Sequence, residues 1–414
     1  MITPETKYPK HFIVIRDQSF NIGDNITIEE DLDNVFTTAS FDLPYFETEQ
    51  WTTKELRKYD VVKIYYNEFN TPLEQQSATV DDCYLIFDGY IDGTPLNENK
   101  TDGINWSGLK LKSTLGLTYE RTMTTPLFTS DINTLMARAL EETSLIDYIP
   151  YFEIDNNISE NLVLKVQSDK FLGKIFDQIK EKYAIQVFQK SDGGLRFQFP
   201  SSFNTLGQNL RRYYSNGVFE MITDQEEAWV YDLTSNCFSV DYGDLTQRVD
   251  TVIVYGLNVL GLAFDPIAYQ LKDGVRLEDI ENNITPVKSK MNPLQIFRRD
   301  VFDEETCQTI ARETLIDYAK NYGISLEVMY NPKEKIGDRF IITNSEVVSP
   351  QQIWIIKKRT ITLSKTSAVG CSIVAYSSSV GDFPSDILLG SSGILDTDVL
   401  NLTDRISATT NLLR

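Results

Sequence analysis

The chemistry open to this chain is narrowed first by one residue type, because it holds a single histidine, His11. Ser-His-Asp and Cys-His catalysis each require an imidazole beside the nucleophile. His11 lies in the alternating run KHFIVIR and reads as an ordinary residue at the start of a strand. The four cysteines, Cys83, Cys237, Cys307 and Cys371, are far apart with no Cys-x-x-Cys, so they read as buried apolar fillers and not as ligands or a disulfide framework. DQSFNIGD resembles a calcium loop superficially, but Ile22 stands where that loop needs Gly and Ile28 where it needs Glu. GLKLKST (108–114) lacks the phosphate-loop spacing, and GSSG (390–393) is a connector. Acidic pairs such as Glu29-Glu30, Asp81-Asp82 and Glu226-Glu227 are expected by chance among 60 acidic residues in 414. A glycosidase needs such a pair held across a cleft. The expectation is no catalytic, cofactor-binding or metal site, no cofactor, and no enzymatic activity.

The elements that would position any site are mainly β. Tyr (21) and Phe (22) are abundant, and both favour pleated, half-buried surfaces. A length of 414 residues implies several domains, and an apolar fraction of 41% is ample for packed cores. The formal charge of −21 disfavours a phosphate-binding surface, so no specific nucleic-acid binding is expected. No apolar run approaches the ~20 residues that span a bilayer, and the start MITPETKYPKHF lacks a signal-like stretch. Stable membrane insertion is not expected, and the chain should be made in a cytoplasm.

Residues 1–118 read as a first small β-barrel, with strand runs separated by polar turn clusters. In DVVKIYY (60–66), Val62, Ile64 and Tyr66 form the expected core face. The aromatic stretch PYFETEQW (44–51) reads as a loop over one barrel end, with a sugar or partner platform as the alternative. Residues 119–234 read as an α/β insert. Ser130 is the expected cap of a helix whose stripe is Ile132, Leu135, Met136, Ala139 and Leu140. A second helix from Ser168, with Phe171, Leu172, Ile175, Phe176 and Ile179, leads into a hairpin of Ile185–Gln189 and Leu195–Phe199. YYSNGVFEMITDQEEAWVYDLTSN is polar and gives no clear element. Residues 235–377 read as a second barrel, built from 235–258 and 303–377 around an insert at 260–302. Its helix, 303–323, is expected to close at Gly323. Residues 378–414 form an aliphatic extension expected to dock on another subunit or a partner, through Ile387, Leu388, Leu389, Ile394, Leu395, Val399, Leu400 and Leu402.

Two parts of the chain share an order of elements. Asp60 opens DVVKIYY, followed by a loop, YLIFDGYIDG, a turn and INWSGLKL. Asp338 opens RFIIT, followed by a loop, QIWIIKKRTITLS, a turn and GCSIVAYS. With the helix and hairpin of 168–199 and the strand RVDTVIVYG between them, this order resembles the baseplate hub family of contractile phage tails. That family comprises gene-27-like and late-control-D-like proteins, related to the hub part of type VI secretion spikes. The resemblance implies a homotrimer around a channel, joining a tail tube protein to a central spike protein beside baseplate wedge proteins, in a virion. A receptor- or carbohydrate-binding tail protein and a cell-wall-degrading tail glycosidase are the alternatives.

Overall fold

The structure is a computed structural model that describes residues 8–20, 24–43, 55–93, 96–99, 103–122, 131–145, 148–158, 171–190, 193–200, 202, 207–226, 228–244, 251–256, 267–270, 293–298, 301, 304–318, 322–345, 352–363, 370–377 and 400–401. The first β unit contains β1 (Tyr8–Ile15), β2 (Gln18–Phe20), β3 (Asp24–Asp31), β4 (Thr38–Leu43) and β5 (Val61–Phe69). After a short helix, α1 (Pro72–Ser77), it continues with β6 (Tyr84–Gly93), β7 (Leu96–Asn99) and β8 (Gly103–Ser113). The expected core face of β5 holds, since Val62, Ile64 and Tyr66 are fully buried. His11 is buried in β1 opposite Tyr66.

The insert follows with α2 (Ile132–Glu142), β9 (Phe152–Asp155), α3 (Leu172–Tyr183), β10 (Gln186–Gln189), β11 (Leu195–Gln198), β12 (Gly207–Ser215) and β13 (Val218–Glu226). Its sheet order is β10-β11-β9-β12-β13. The buried residues of α2 are the stripe expected from the sequence. Its cap is Asp131, whose carboxylate accepts from the Asn133 and Thr134 amides at 3.0 and 3.2 Å; Ser130 lies outside the described residues. A carboxylate one residue nearer the first turn also complements the helix dipole. Helix α3 begins after Phe171, and Ala184 ends it in the left-handed region at φ 54°; Ser168 also lies outside the described residues.

The segment without a clear reading, residues 213–236, holds the turn and second strand of the hairpin β12–β13 and a further strand, Ala228–Asp232. Asn216 and Gly217 form its turn at φ 51° and 81°, with Ser215 opposite Val218. Asn-Gly with both residues left-handed is the favoured two-residue hairpin turn, and that dipeptide was the legible signal. A Cβ at Gly217 meets nothing within 4 Å, so the conformation alone sets the cost of substitution. Gly217→Ala is expected to lower stability by about 1–2 kcal/mol, read by chemical denaturation with unchanged far-ultraviolet dichroism.

The second β unit begins inside the expected insert. β14 (Ala228–Asp232) runs parallel to a later strand, β20. β15 (Cys237–Asp244) follows, whereas β16 (Thr251–Tyr255), expected in the second barrel, joins a separate sheet. That sheet has the order β18-β16-β17-β23, with β17 (Ile267–Gln270), β18 (Pro293–Phe297) and β23 (Leu400–Asn401). Helix α4 (Glu304–Tyr318) packs on β16 and β17. Val252 and Val254 of β16, with Cys307, Ile310 and Ala311 of α4, share a core with the insert. A short apolar run does not reveal its sheet, because its partners are remote in sequence. The unit is completed by β19 (Tyr322–Met329), β20 (Arg339–Thr343), β21 (Trp354–Leu363) and β22 (Gly370–Ser377). Gly323, expected to close the helix, lies within β19 opposite Tyr376 and Gly243.

The fold is mainly β with an α/β insert, and the two β units are continuous. β3 of the first pairs antiparallel with β21 of the second, from Lys358↔Asp31 to Leu363↔Ile26. One sheet path, β15-β19-β22-β21-β3-β4-β8-β6-β5-β1-β2, results, and one core cluster runs from Ile13 to Tyr376.

Candidate functional site

The two acidic openings noted in the sequence adopt one geometry. The Arg57 amide donates to Asp60 Oδ2 at 2.8 Å, and the Asp60 amide donates back to the Arg57 carbonyl at 3.1 Å. In the second unit the Lys335 amide donates to Asp338 Oδ2 at 2.9 Å, and the Asp338 amide to the Lys335 carbonyl at 3.1 Å. The residue before each aspartate is left-handed, Tyr59 at φ 76° and Gly337 at φ 81°. Each then makes the same ladder start. Tyr59 N donates to Ile91 O at 2.8 Å and Ile91 N to Asp60 O at 3.0 Å; Gly337 N donates to Ile356 O and Ile356 N to Asp338 O, both at 2.9 Å.

The correspondence continues along the next strands. β6 against β8 shifts register between Ile91 and Gly93, and β21 against β22 between Ile356 and Lys358. Asp92 and Lys357 are therefore equivalent bulge residues. Bulges aim side chains out of the ladder, and here the two carry opposite charge. Lys112 and Lys58 approach Asp92 at 3.0 and 3.5 Å. Lys357 meets Asp33 at 2.7 Å, and its carbonyl accepts from the Leu32 amide at 2.9 Å, which ties the second unit to the end of β3.

Buried charges concentrate at this junction. Arg359 Nε lies 2.6 Å from Glu30 Oε2, with the side chains 1% and 2% exposed. Arg359 Nη1 donates to the Glu334 carbonyl, and its guanidinium lies over the Tyr330 ring at 5.7 Å. Tyr231 Oη donates to Glu334 Oε2 at 2.6 Å. Burial pushes the Glu334 carboxyl up to about 7, against the lowering pull of the Tyr231 hydrogen bond and the Arg359 charge. The groups bind one another within the buried core, which is an arrangement for fixing two units together.

One groove of about 570 Å³ opens on the outer face of the first unit, between Tyr59, Val61, Lys63, Tyr90, Arg121 and Tyr148. Glu120 anchors its floor. It accepts from Tyr59 Oη at 2.5 Å and Tyr90 Oη at 3.3 Å, with Lys58 at 3.3 Å. Burial would raise the Glu120 pKa, but the hydrogen bonds from Tyr59 and Lys58 and the charges of Lys58 and Lys112 lower it overall. The equivalent face of the second unit is covered. Val61 is 45% exposed, whereas Arg339, its counterpart one residue after the opening aspartate, is 1% exposed and donates to the Ser202 carbonyl of the insert at 2.5 Å. Tyr59 and Tyr148 leave aromatic surface open beside the groove.

Of the expected interface residues, Ile387, Leu388, Leu389, Ile394, Leu395, Val399 and Leu402 lie outside the described residues, as does PYFETEQW. Leu400 lies in β23, whose backbone pairs with β17 at Gln270. Among the described residues no group of three or more His, Cys, Asp or Glu is placed to hold a metal ion. No helix there is long and apolar enough to cross a membrane. Cys237, Cys307 and Cys371 are buried and not joined in disulfides, and burial pushes Cys371 up to about 12. The Arg359–Glu30 pair was not legible, because its members are 329 residues apart and each stands in an unremarkable polar context.

The structure is similar over 91% of this chain and 98% of the other to a tail protein from Neisseria meningitidis MC58, with a TM-score of 0.60 at 9% identity. A 43 kDa tail protein of prophage MuSo2 from Shewanella oneidensis matches with a TM-score of 0.60 at 8% identity, over 91% of this chain and 99% of that one. Prophage tail protein gp18 from Listeria monocytogenes EGD-e matches with a TM-score of 0.53 at 10% identity, over 88% and 94%. No family model and no curated protein matches the chain. The chain thus has the fold of prophage tail proteins, and the tail-protein resemblance read from the sequence holds at the level of the fold.

Proposed function

We propose that this chain is a structural baseplate hub protein of a phage tail or related contractile injection particle. It forms a trimeric ring that receives the tail tube on one side and the central spike on the other, next to the wedge proteins. The observation that carries this reading is the doubled β unit, with matching opening turns at Asp60 and Asp338 and matching bulges at Asp92 and Lys357. Two like units per chain let a threefold ring present six similar elements to a sixfold tube. The formal charge of −21 suits a wall past which DNA moves without sticking. The open groove at Tyr59 and Tyr148 supplies a face for a neighbouring tail protein, and the aliphatic segment 378–414 supplies a docking arm. The role is structural and not enzymatic.

Mass in solution tests the reading. Light scattering on the full chain, alone and co-purified with its cognate spike, is expected to give three copies per particle. A monomer at micromolar concentration in both preparations would overturn it.

A further inference from the structure

The two β units carry equivalent residue pairs beside their opening aspartates, and the chain closes over only one of them. Val61 of β5 pairs with Tyr90 of β6, and Arg339 of β20 pairs with Ile355 of β21. In the second unit Arg339 and Ile355 are fully buried. The Arg339 guanidinium donates to the Ser202 carbonyl in the turn that follows β11, a turn closed by the Ser202 amide on the Phe199 carbonyl at 3.0 Å. The Ser202 hydroxyl donates in turn to Asp155 of β9. A piece of backbone from the insert therefore covers this face of the second unit. In the first unit Val61 is left open, and the groove lies over Val61 and Tyr90.

The groove walls define the chemistry that would fill it. Tyr59 is 51% and Tyr148 45% exposed, and with Val61 and Leu117 they present apolar surface. Glu120 is already engaged by two tyrosyl hydroxyls, Lys58 and Lys112, and Asp88 has Lys63 at 3.7 Å. Arg121 differs. Its Nη1 donates to the Thr143 and Ser144 carbonyls at 2.8 and 3.3 Å, which holds the guanidinium 5.5 Å from the Tyr148 ring centre. Carbonyls orient the group without neutralising it, and among the described residues no carboxylate forms an ion pair with Arg121. A fixed guanidinium with its remaining N–H groups open favours a carboxylate over other acceptors.

We propose that the groove docks a segment of a different tail protein, which covers Val61 as the Ser202 turn covers Arg339, packs an apolar side chain against Tyr59 and Tyr148, and sets a carboxylate on Arg121. The occupant is not a second copy of this chain. Each chain has one insert, and the turn at Ser202 is already used on its own second unit. Val61 also has no donor for a backbone carbonyl, so the anchor that Arg339 supplies in the second unit passes to Arg121 in the first. There the matching acceptor is an acidic side chain, and a charge-assisted pair selects its partner more sharply than a carbonyl contact does. The inference deepens the hub reading and rests on it only for the particle in which the partner is met.

The full-length chain with a photoreactive benzophenone side chain in place of Val61, made in cells that produce the whole particle, provides the test. Particles are irradiated and purified, and linked peptides are read by mass spectrometry. A link to another tail protein is expected, beside an acidic residue of that protein. Arg121→Glu should lower its yield about tenfold, the loss of one charge-assisted contact, and changing the partner's acidic residue to lysine should restore it. Tyr148→Ala, which leaves the Arg121 hydrogen bonds in place, should also lower the yield. A link within the chain or to a second copy would overturn the proposal, as would a yield indifferent to both variants. No link in particles that hold three copies of the chain would overturn it and leave the hub reading standing. Particles that lack the chain would overturn both.

Discussion

Arg359→Met, with Glu30 left in place, is expected to lower the stability of the joint β core by about 3–5 kcal/mol, the usual cost of stranding one member of a buried ion pair. Both side chains are almost wholly buried, and Arg359 Nε lies 2.6 Å from Glu30 Oε2. Removing the arginine leaves a carboxylate with no counter-charge and the Glu334 carbonyl without its donor. The companion variant Glu30→Leu/Arg359→Met is expected to recover most of the loss, because an apolar pair of similar volume avoids the desolvation of two charges. Denaturant unfolding of the four chains in a double-mutant cycle reads the effect. Equal losses in the single and double variants would show that packing around Arg359, and not the charge pair, holds the junction.

The second large effect is a pH dependence. Glu334 is 2% exposed, and burial raises its carboxyl from the usual 4.5 to about 7. A group whose folded pKa is raised binds its proton more tightly in the native state. Its contribution to stability is therefore complete below 4.5 and is lost as pH rises through about 7. A carboxyl moved from 4.5 to about 7 contributes about 3 kcal/mol across that window. The difference in unfolding free energy between pH 5 and pH 8 is expected to shrink by that order in Glu334→Gln, which keeps an oxygen to accept from Tyr231 Oη. The facing groups are Tyr231, Asn331, Asp338 and Arg359, all retained in the variant. Identical pH profiles for the two chains would reject the assignment.

What could be read from the sequence was local. The Val62-Ile64-Tyr66 face and the α2 stripe follow from period alone, and both are buried as expected. The equivalence of Asp60 and Asp338 was legible because strand order survives where residue identity does not: the two opening turns share only the aspartate and the left-handed residue before it. The Ile-Gly-Asp at 22–24 played no part in it. Asn216-Gly217 was legible and passed over, since the strand after it shows no alternation: Val218, Phe219, Glu220 and Met221 are all exposed. What was not legible was long-range. β16 reads as a strand anywhere, and only its pairing with β17 and β18 places it apart from the second unit. β14 precedes its partner β20 by more than a hundred residues, so the expected boundary at 234 cut through the second unit. The β3–β21 junction, where the charge chemistry lies, joins the two ends of the chain.

The opposite signs of the two bulge residues give the chain a parity. Lys357 meets Asp33 where β3 joins β21, and its counterpart in the first unit is Asp92. If β3 of one copy strayed onto β7 of another, Asp33 would come against Asp92, carboxylate against carboxylate. Lys112 and Lys58 already engage Asp92, so such a contact would lack the ammonium that Lys357 gives Asp33. The duplication thus supplies two like shapes that differ in the sign of the charge at one bulge.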